Sequence, residues 1–343
     1  MSNLDPPLTQ ERSLAFPQSD HEVIPAVVIP FPKVKGILRD TPKTATYLYL
    51  CVTLAFSAAA WIFIIWSGHL AMGFGLMIPM IMWCPGLAAM VSCRLLGRSI
   101  RTLAWRWPKS RYIAAAYLIP LAYSSVAYGA VWIARLGDWN SEFVAVVADG
   151  FGLRGLPPSG SLTLYIITMA TGGVIQNLSM ALGEEIGWRG FLVPALAEQT
   201  SFTRVCLISG IIWAAWHMPL LLFADYNAGT NRSYALGCLT VTVVSMSFVL
   251  TWLRLKSGSI WPPALLHASN NLFIGGLFDN LIRNDGSTYW YTTEFGAALA
   301  ITGTVLALFF WARRTELHAD DRKVSVLTPA RSVVRALEIT EVK

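Results

Sequence analysis

The sequence predicts an all-α, polytopic membrane protein of about eight transmembrane helices. Three observations carry that expectation. The 343 residues are 55% hydrophobic and only 13% charged, whereas a soluble domain is about one quarter charged. The apolar residues gather into eight runs, each long enough to cross a hydrocarbon core of about 30 Å. Lysine and arginine crowd into alternate connections between those runs, the bias expected of cytoplasmic loops.

In chain order the runs are Ala45–Trp66, Leu70–Cys93, Tyr112–Ala134, Ser161–Gly183, Val205–Phe223, Ser233–Leu253, Ser257–Phe278 and Phe295–Ala312. None contains Asp, Glu, Lys or Arg. The alternating hydropathy of a barrel is absent, so helices must satisfy the backbone in lipid. Before the first run stand Lys33, Lys35, Arg39 and Lys43. Arg94, Arg98, Arg101, Arg106, Lys109 and Arg111 follow the second. Arg189 and Arg204 flank the connection after the fourth, Arg254 and Lys256 follow the sixth, and Arg313 and Arg314 the eighth. The other connections carry only Arg135, Arg154, Arg232 and Arg283. Eight spans with both termini in the cytoplasm give this pattern.

The organisation expected is a flexible, proline-rich cytoplasmic tail over 1–44, a membrane domain over 45–312 and a cytoplasmic tail over 313–343. The first tail is too polar for a cleavable signal peptide. The net charge of +6 is spread over short loops, which fits membrane topology and not a nucleic-acid partner. Five cysteines stand singly in apolar segments without metal or redox spacing, as small core residues do.

Polar residues inside lipid are costly and mark function. The stretch ALGEEIGWRGFLVPAL places Glu184 and Glu185 side by side at the expected cytoplasmic end of the fourth span. Adjacent helical positions point about 100° apart, so the two acids cannot share one environment. Glu185 and Arg189 stand i, i+4 with the acid first, the favourable order for an ion pair, and Glu184 lacks a local charged partner. The bland alternative is a pair of interfacial charges, but the chain continues apolar through Leu196. His217 follows in IIWAAWHMPLLLF, with Trp213 one turn earlier and Pro219 poised to kink the helix. In WPPALLHASNN, Pro262 and Pro263 suit a first helical turn, and His267 and Asn271 share a face, with Asn270 rotated away. Each histidine alone reads as packing glue between helices.

Together these residues place a candidate cavity between helices 4, 5 and 7. Their chemistry is hydrolytic. A poorly solvated carboxylate can take a proton from water, and imidazole and carboxamide can hold an oxyanion. Alternatively, Glu184, His217 and His267 are candidate ligands of a catalytic zinc. No GxSxG pattern supports a serine hydrolase, and ionisable residues clustered at one depth argue against a transport pathway.

The three clusters, Glu184-Glu185-x-x-x-Arg189, Trp213-x-x-x-His217 and His267-x-x-x-Asn271, resemble in order and setting the signature of the CAAX-protease and bacteriocin-processing family of intramembrane proteases. The resemblance covers about 161–278, the expected catalytic core. Trp213 stands where the family usually has Phe. The resemblance implies an intramembrane endopeptidase of the bacterial inner membrane, acting on a membrane-associated, prenylated or peptide substrate. By motif position Glu184 activates water with His217 beside it, and His267 and Asn271 hold the oxyanion. Glu185, Arg189 and Trp213 support them. A glutamate base without an obligatory metal is the favoured chemistry, because no HExxH spacing fixes two ligands on one turn; zinc is the alternative. A non-catalytic immunity or scaffold protein that binds a peptide in the same cavity is the competing function.

Overall fold

A computed structural model describes residues 36–71, 75–150, 152, 157–284 and 286–317. Most of the two expected tails lies outside these residues. The described residues form helices joined by short connections, with a single isolated bridge between Trp139 and Ile282. All eight apolar runs become helices. The first three are α1 (Pro42–Ser67), α2 (Met77–Leu95) and α3 (Ser110–Ile133), followed by a short amphipathic α4 (Ser141–Gly150). The fourth run lies in α5 (Pro158–Ala197), 40 residues in which π-helical turns interrupt the α-helix at Met169–Gly173 and Ile186–Leu192. Next come α6 (Phe202–Phe223) and α7 (Arg232–Ser257). Helix α8 (Trp261–Asn271) passes directly into a π-helical stretch, Leu272–Phe278, and α9 is Ala297–Ala312. Among the described residues six helices are long and apolar enough to cross a membrane: α1, α2, α3, α5, α6 and α7. The seventh run is broken by its π turns, and α9 is an apolar helix of 16 residues.

The fourth run does not end at Gly183. Helix α5 continues through the diglutamate to Ala197, because Phe191 to Leu196 carry no breaker that the helix cannot absorb and Pro194 falls in the first turn after the π segment. Glu184 therefore sits 13 residues inside the helix, about 20 Å from its end at 1.5 Å per residue. His217 lies 15 residues from the start of α6, about 22 Å in by the same rise. The acids belong to the interior of the bundle, at the depth of the histidine, and not to a helix end.

Small residues bring α5 against α2. A Cβ on Gly183 would meet the Cα of Trp83 at 2.8 Å, and one on Gly187 the carbonyl carbon of Pro85 at 2.6 Å. From the other side, a Cβ on Gly86 would stand 2.5 Å from the Gly183 carbonyl oxygen. Spaced i, i+4, the two glycines let the backbones touch, the usual device for close helix crossings in lipid. That crossing fixes the turn of α5 that carries both acids.

Candidate active site

The two neighbouring glutamates enter different surroundings. Glu185 is fully enclosed: Arg189 Nη1 donates to its Oε1 at 2.9 Å, and His267 Nδ1 lies 2.9 Å from the same oxygen. An ionised carboxylate only accepts, so His267 carries its proton on Nδ1 and presents Nε2 on the other side of the ring. Arg189 is equally buried. Its guanidinium lies 4.3 Å from the centroid of the Trp213 ring, a cation–π contact. Its carbonyl accepts from Arg254 Nε at 2.9 Å.

Glu184 has no cation. Two indoles serve it instead: Trp213 Nε1 donates to Oε2 at 2.7 Å and Trp188 Nε1 to the same atom at 3.2 Å. Oε1 keeps its capacity to accept. Trp188 stands i+4 from Glu184, as Arg189 does from Glu185, so the spacing that signals the ion pair also signals this bond. The indole ring gives Trp213 a role that a phenyl ring has no N–H to fill.

A cavity of about 210 Å³ opens beside Glu184, and its lining includes His217, His267, Asn270 and Asn271. His217 donates from Nδ1 to the Trp213 carbonyl oxygen at 2.8 Å, which leaves its Nε2 lone pair available. Its ring stacks on Tyr226 with centroids 5.8 Å apart. Asn270, expected to be rotated away, lines the cavity with Asn271. The cavity wraps far enough round α8 to take both positions, and the Tyr123 hydroxyl from α3 holds Asn270 by donating to its Oδ1. The cavity thus joins α5, α6 and α8, the fourth, fifth and seventh runs, and extends onto α2 and α7.

Glu294, which no sequence motif marks, also lines this cavity. It stands in the connection before α9, beside the Tyr226 hydroxyl. Burial pushes its carboxyl above the usual carboxylate range, and the Tyr226 hydroxyl and the two imidazoles pull it back. The signal available in the sequence is a lone acid flanked by Tyr291, Thr292, Thr293 and Phe295 at the edge of the last apolar run.

Among the described residues no three His, Cys, Asp or Glu side chains converge on one point suited to an ion. Glu184 Oε2 is committed to two indoles and Glu185 to Arg189 and His267.

Residues 160–273, about one third of the chain, match the family model described as Type II CAAX prenyl endopeptidase Rce1-like. A stretch of 83 residues is 31% identical to "CAAX prenyl protease 2" of Methanococcus maripaludis, covering 23% of this chain and 31% of that relative. The chain thus spans about a third of the length of the curated relative it matches. The matched segment contains all three polar motifs, and Glu294 lies outside it.

Proposed function

We propose that this chain, a multi-pass membrane protein whose residues 160–273 belong to the Rce1-like CAAX endopeptidase family, is an intramembrane endopeptidase that uses a glutamate to activate water. The observation that carries the reading is the unlike setting of the two acids. Glu184 has a free oxygen at a cavity lined by His217, His267 and Asn271, whereas Glu185 is spent on Arg189 and His267. Water held between Glu184 Oε1 and His217 Nε2 passes a proton to the carboxylate as it attacks a peptide carbonyl. The oxyanion is met by the Asn271 carboxamide and by His267, which enters the reaction with a proton from bulk water on Nε2 as well as the one on Nδ1, its charge balanced by Glu185. The protonated Glu184 then gives its proton to the leaving amine.

The same reading extends to orientation. The cavity is lined by Leu70, Tyr226 and Glu294, which lie beyond the ends of α1 and α6 and before α9. The Leu70 amide donates to Asp225 Oδ1 at 2.6 Å, tying two of these connections together. All belong to the side poor in Lys and Arg. With both termini cytoplasmic, a peptide reaches Glu184 from the outer face of the membrane. Impermeant labelling of single cysteines placed at Asn227 and Arg106 tests this, and labelling of both from one side rejects it.

The activity is tested by incubating the purified full chain with a library of C-terminal and membrane-spanning peptides. Elemental analysis, chelation and metal add-back are run on the same preparation. Cleavage that survives prolonged chelation is expected. Stoichiometric zinc, with activity lost on chelation and restored by zinc alone, would replace the water-activating role of Glu184 with a ligand role. Tight binding without cleavage by any member of the library selects the scaffold function.

A further inference from the structure

Glu294 is placed in the cavity by an arrangement that local preference alone does not explain. Thr293, immediately before it, has φ of +63°. A β-branched residue in the left-handed region is an outlier that persists only where its surroundings impose it, and such residues gather at functional sites. The surroundings here are specific. The Thr293 amide donates to the Tyr128 hydroxyl of α3 at 3.1 Å, and its side-chain oxygen accepts from the Phe295 amide at 3.2 Å. Tyr128 is itself bonded to Asp279. Gly296 completes the turn: a Cβ there would collide with the Thr292 carbonyl oxygen. Tyr226 is wedged between His217 and Phe295, with its hydroxyl beside the Glu294 carboxyl. The turn thus turns one acid inward, toward a space it shares with Glu184.

Among the described residues the lining of that space holds two carboxyl groups, two histidines and no lysine or arginine. Arg189, a buried cation, is paired with Glu185 and does not itself line the space. Asp225, outside the lining, is taken up by the Leu70 amide and His69, while Arg232 donates to the Ala224 carbonyl and does not line the cavity. A carboxylate held close to a substrate favours an opposite charge there and selects against a like one.

We infer that Glu294 is a specificity-determining residue that favours substrates carrying a lysine or arginine side chain near the scissile bond and disfavours a carboxylate there. The inference rests on the peptide-cleaving reading of this cavity and narrows its substrate class. Glu294 comes from outside the family-matched segment, so it sets this chain's choice of substrate without altering the shared motifs.

The test uses the full chain in nanodiscs and four labelled, apolar twelve-residue peptides. Three are amide-capped and carry Lys, Gln or Glu at one central position; the fourth is the Gln peptide with a free carboxylate. Affinities are read by anisotropy at pH 8 against empty nanodiscs. The Lys peptide is expected to bind about tenfold more tightly than the Glu peptide, about 1.4 kcal/mol, and the amide more tightly than the acid. In Glu294→Gln, whose melting is measured alongside, both ratios fall to within about twofold. Carbodiimide coupling of the Lys peptide to the wild-type protein, mapped by mass spectrometry, is expected on Glu294; this arm needs no variant to fold. Equal affinities in the wild type, ratios that persist in Glu294→Gln, or coupling that maps only elsewhere overturn the inference. Turnover of the same peptides is read separately. Charge-ranked binding without turnover removes the peptidase reading and leaves the selection; turnover without ranking does the reverse.

Discussion

Glu184 and Glu185 are neighbours in sequence, identical in chemistry and both almost fully buried, yet one is sealed and the other faces a cavity. Glu185 spends Oε1 on a guanidinium and an imidazole. Glu184 is held through one oxygen by two neutral indole N–H groups and keeps the other oxygen for the cavity. The difference shows how a helix separates structural from chemical duty within one dipeptide. The 100° step between adjacent positions turns one acid toward α8 and the interior ion pair, the other toward α6 and the open space. Indoles hold Glu184 in place without a permanent cation beside it, and a carboxylate that must gain and lose a proton needs that freedom.

The sharpest way to break this comparison is to remove the charge of each acid in turn. Glu184→Gln keeps the volume and lets the amide oxygen take the indole bonds. Cleavage should fall by about 10²–10⁴, the range of a lost general base, while thermal melting stays near that of the wild type. A variant that retains turnover removes Glu184 from the chemistry and with it the assignment of the two roles. Arg189→Ala should do the opposite, unfolding the protein first. Breaking one partner of a buried pair costs about 3–5 kcal/mol, because the other charge is stranded. A double-mutant cycle of Glu185→Gln with Arg189→Ala isolates the coupling. Additive losses of stability would dissolve the ion pair as the distinguishing feature of Glu185.

Much of this fold is legible in the sequence. Apolar run length reports helices in lipid because nothing else can satisfy the backbone there, and all eight runs are helical. The end of the fourth span is not legible, because Gly183 and the two charges mimic a helix exit. What overrides them lies elsewhere in the chain: the crossing with α2 at Gly86 accepts Gly183 and Gly187, and Arg189 neutralises one acid. In the site, the i, i+4 relation of Glu185 and Arg189 is readable from spacing. The same spacing pairs Glu184 with Trp188, a bond missed because tryptophan in a membrane segment reads as bulk. Asn270 shows the limit of assigning faces by rotation alone, since a cavity wide enough takes two adjacent positions. Glu294 is invisible to motif reading because a distant turn, pinned by Tyr128, carries it in.

The finest test concerns the residue that touches both environments. Trp213 donates to Glu184 through its indole N–H and offers its ring face to Arg189. Trp213→Phe keeps an aromatic face and deletes only the donor. A hydrogen bond to a charged group contributes about 1.5–3 kcal/mol, so the loss should appear on the Glu184 side, as a fall in turnover of about 10- to 100-fold. Trp188 still holds the same oxygen, which places the expected effect toward the lower end. On the Glu185 side the guanidinium still faces a ring, and melting should move little. Adding Trp188→Phe then leaves Glu184 with neither donor, and the second loss should exceed the first, because a buried carboxylate with one donor is far better satisfied than one with none. Equal losses for the two substitutions would mean that the indoles act independently of the carboxylate, as packing alone. A drop in melting that matches the drop in turnover would mean that Trp213 serves the Glu185–Arg189 side after all, and that the boundary between the two acids lies beyond it.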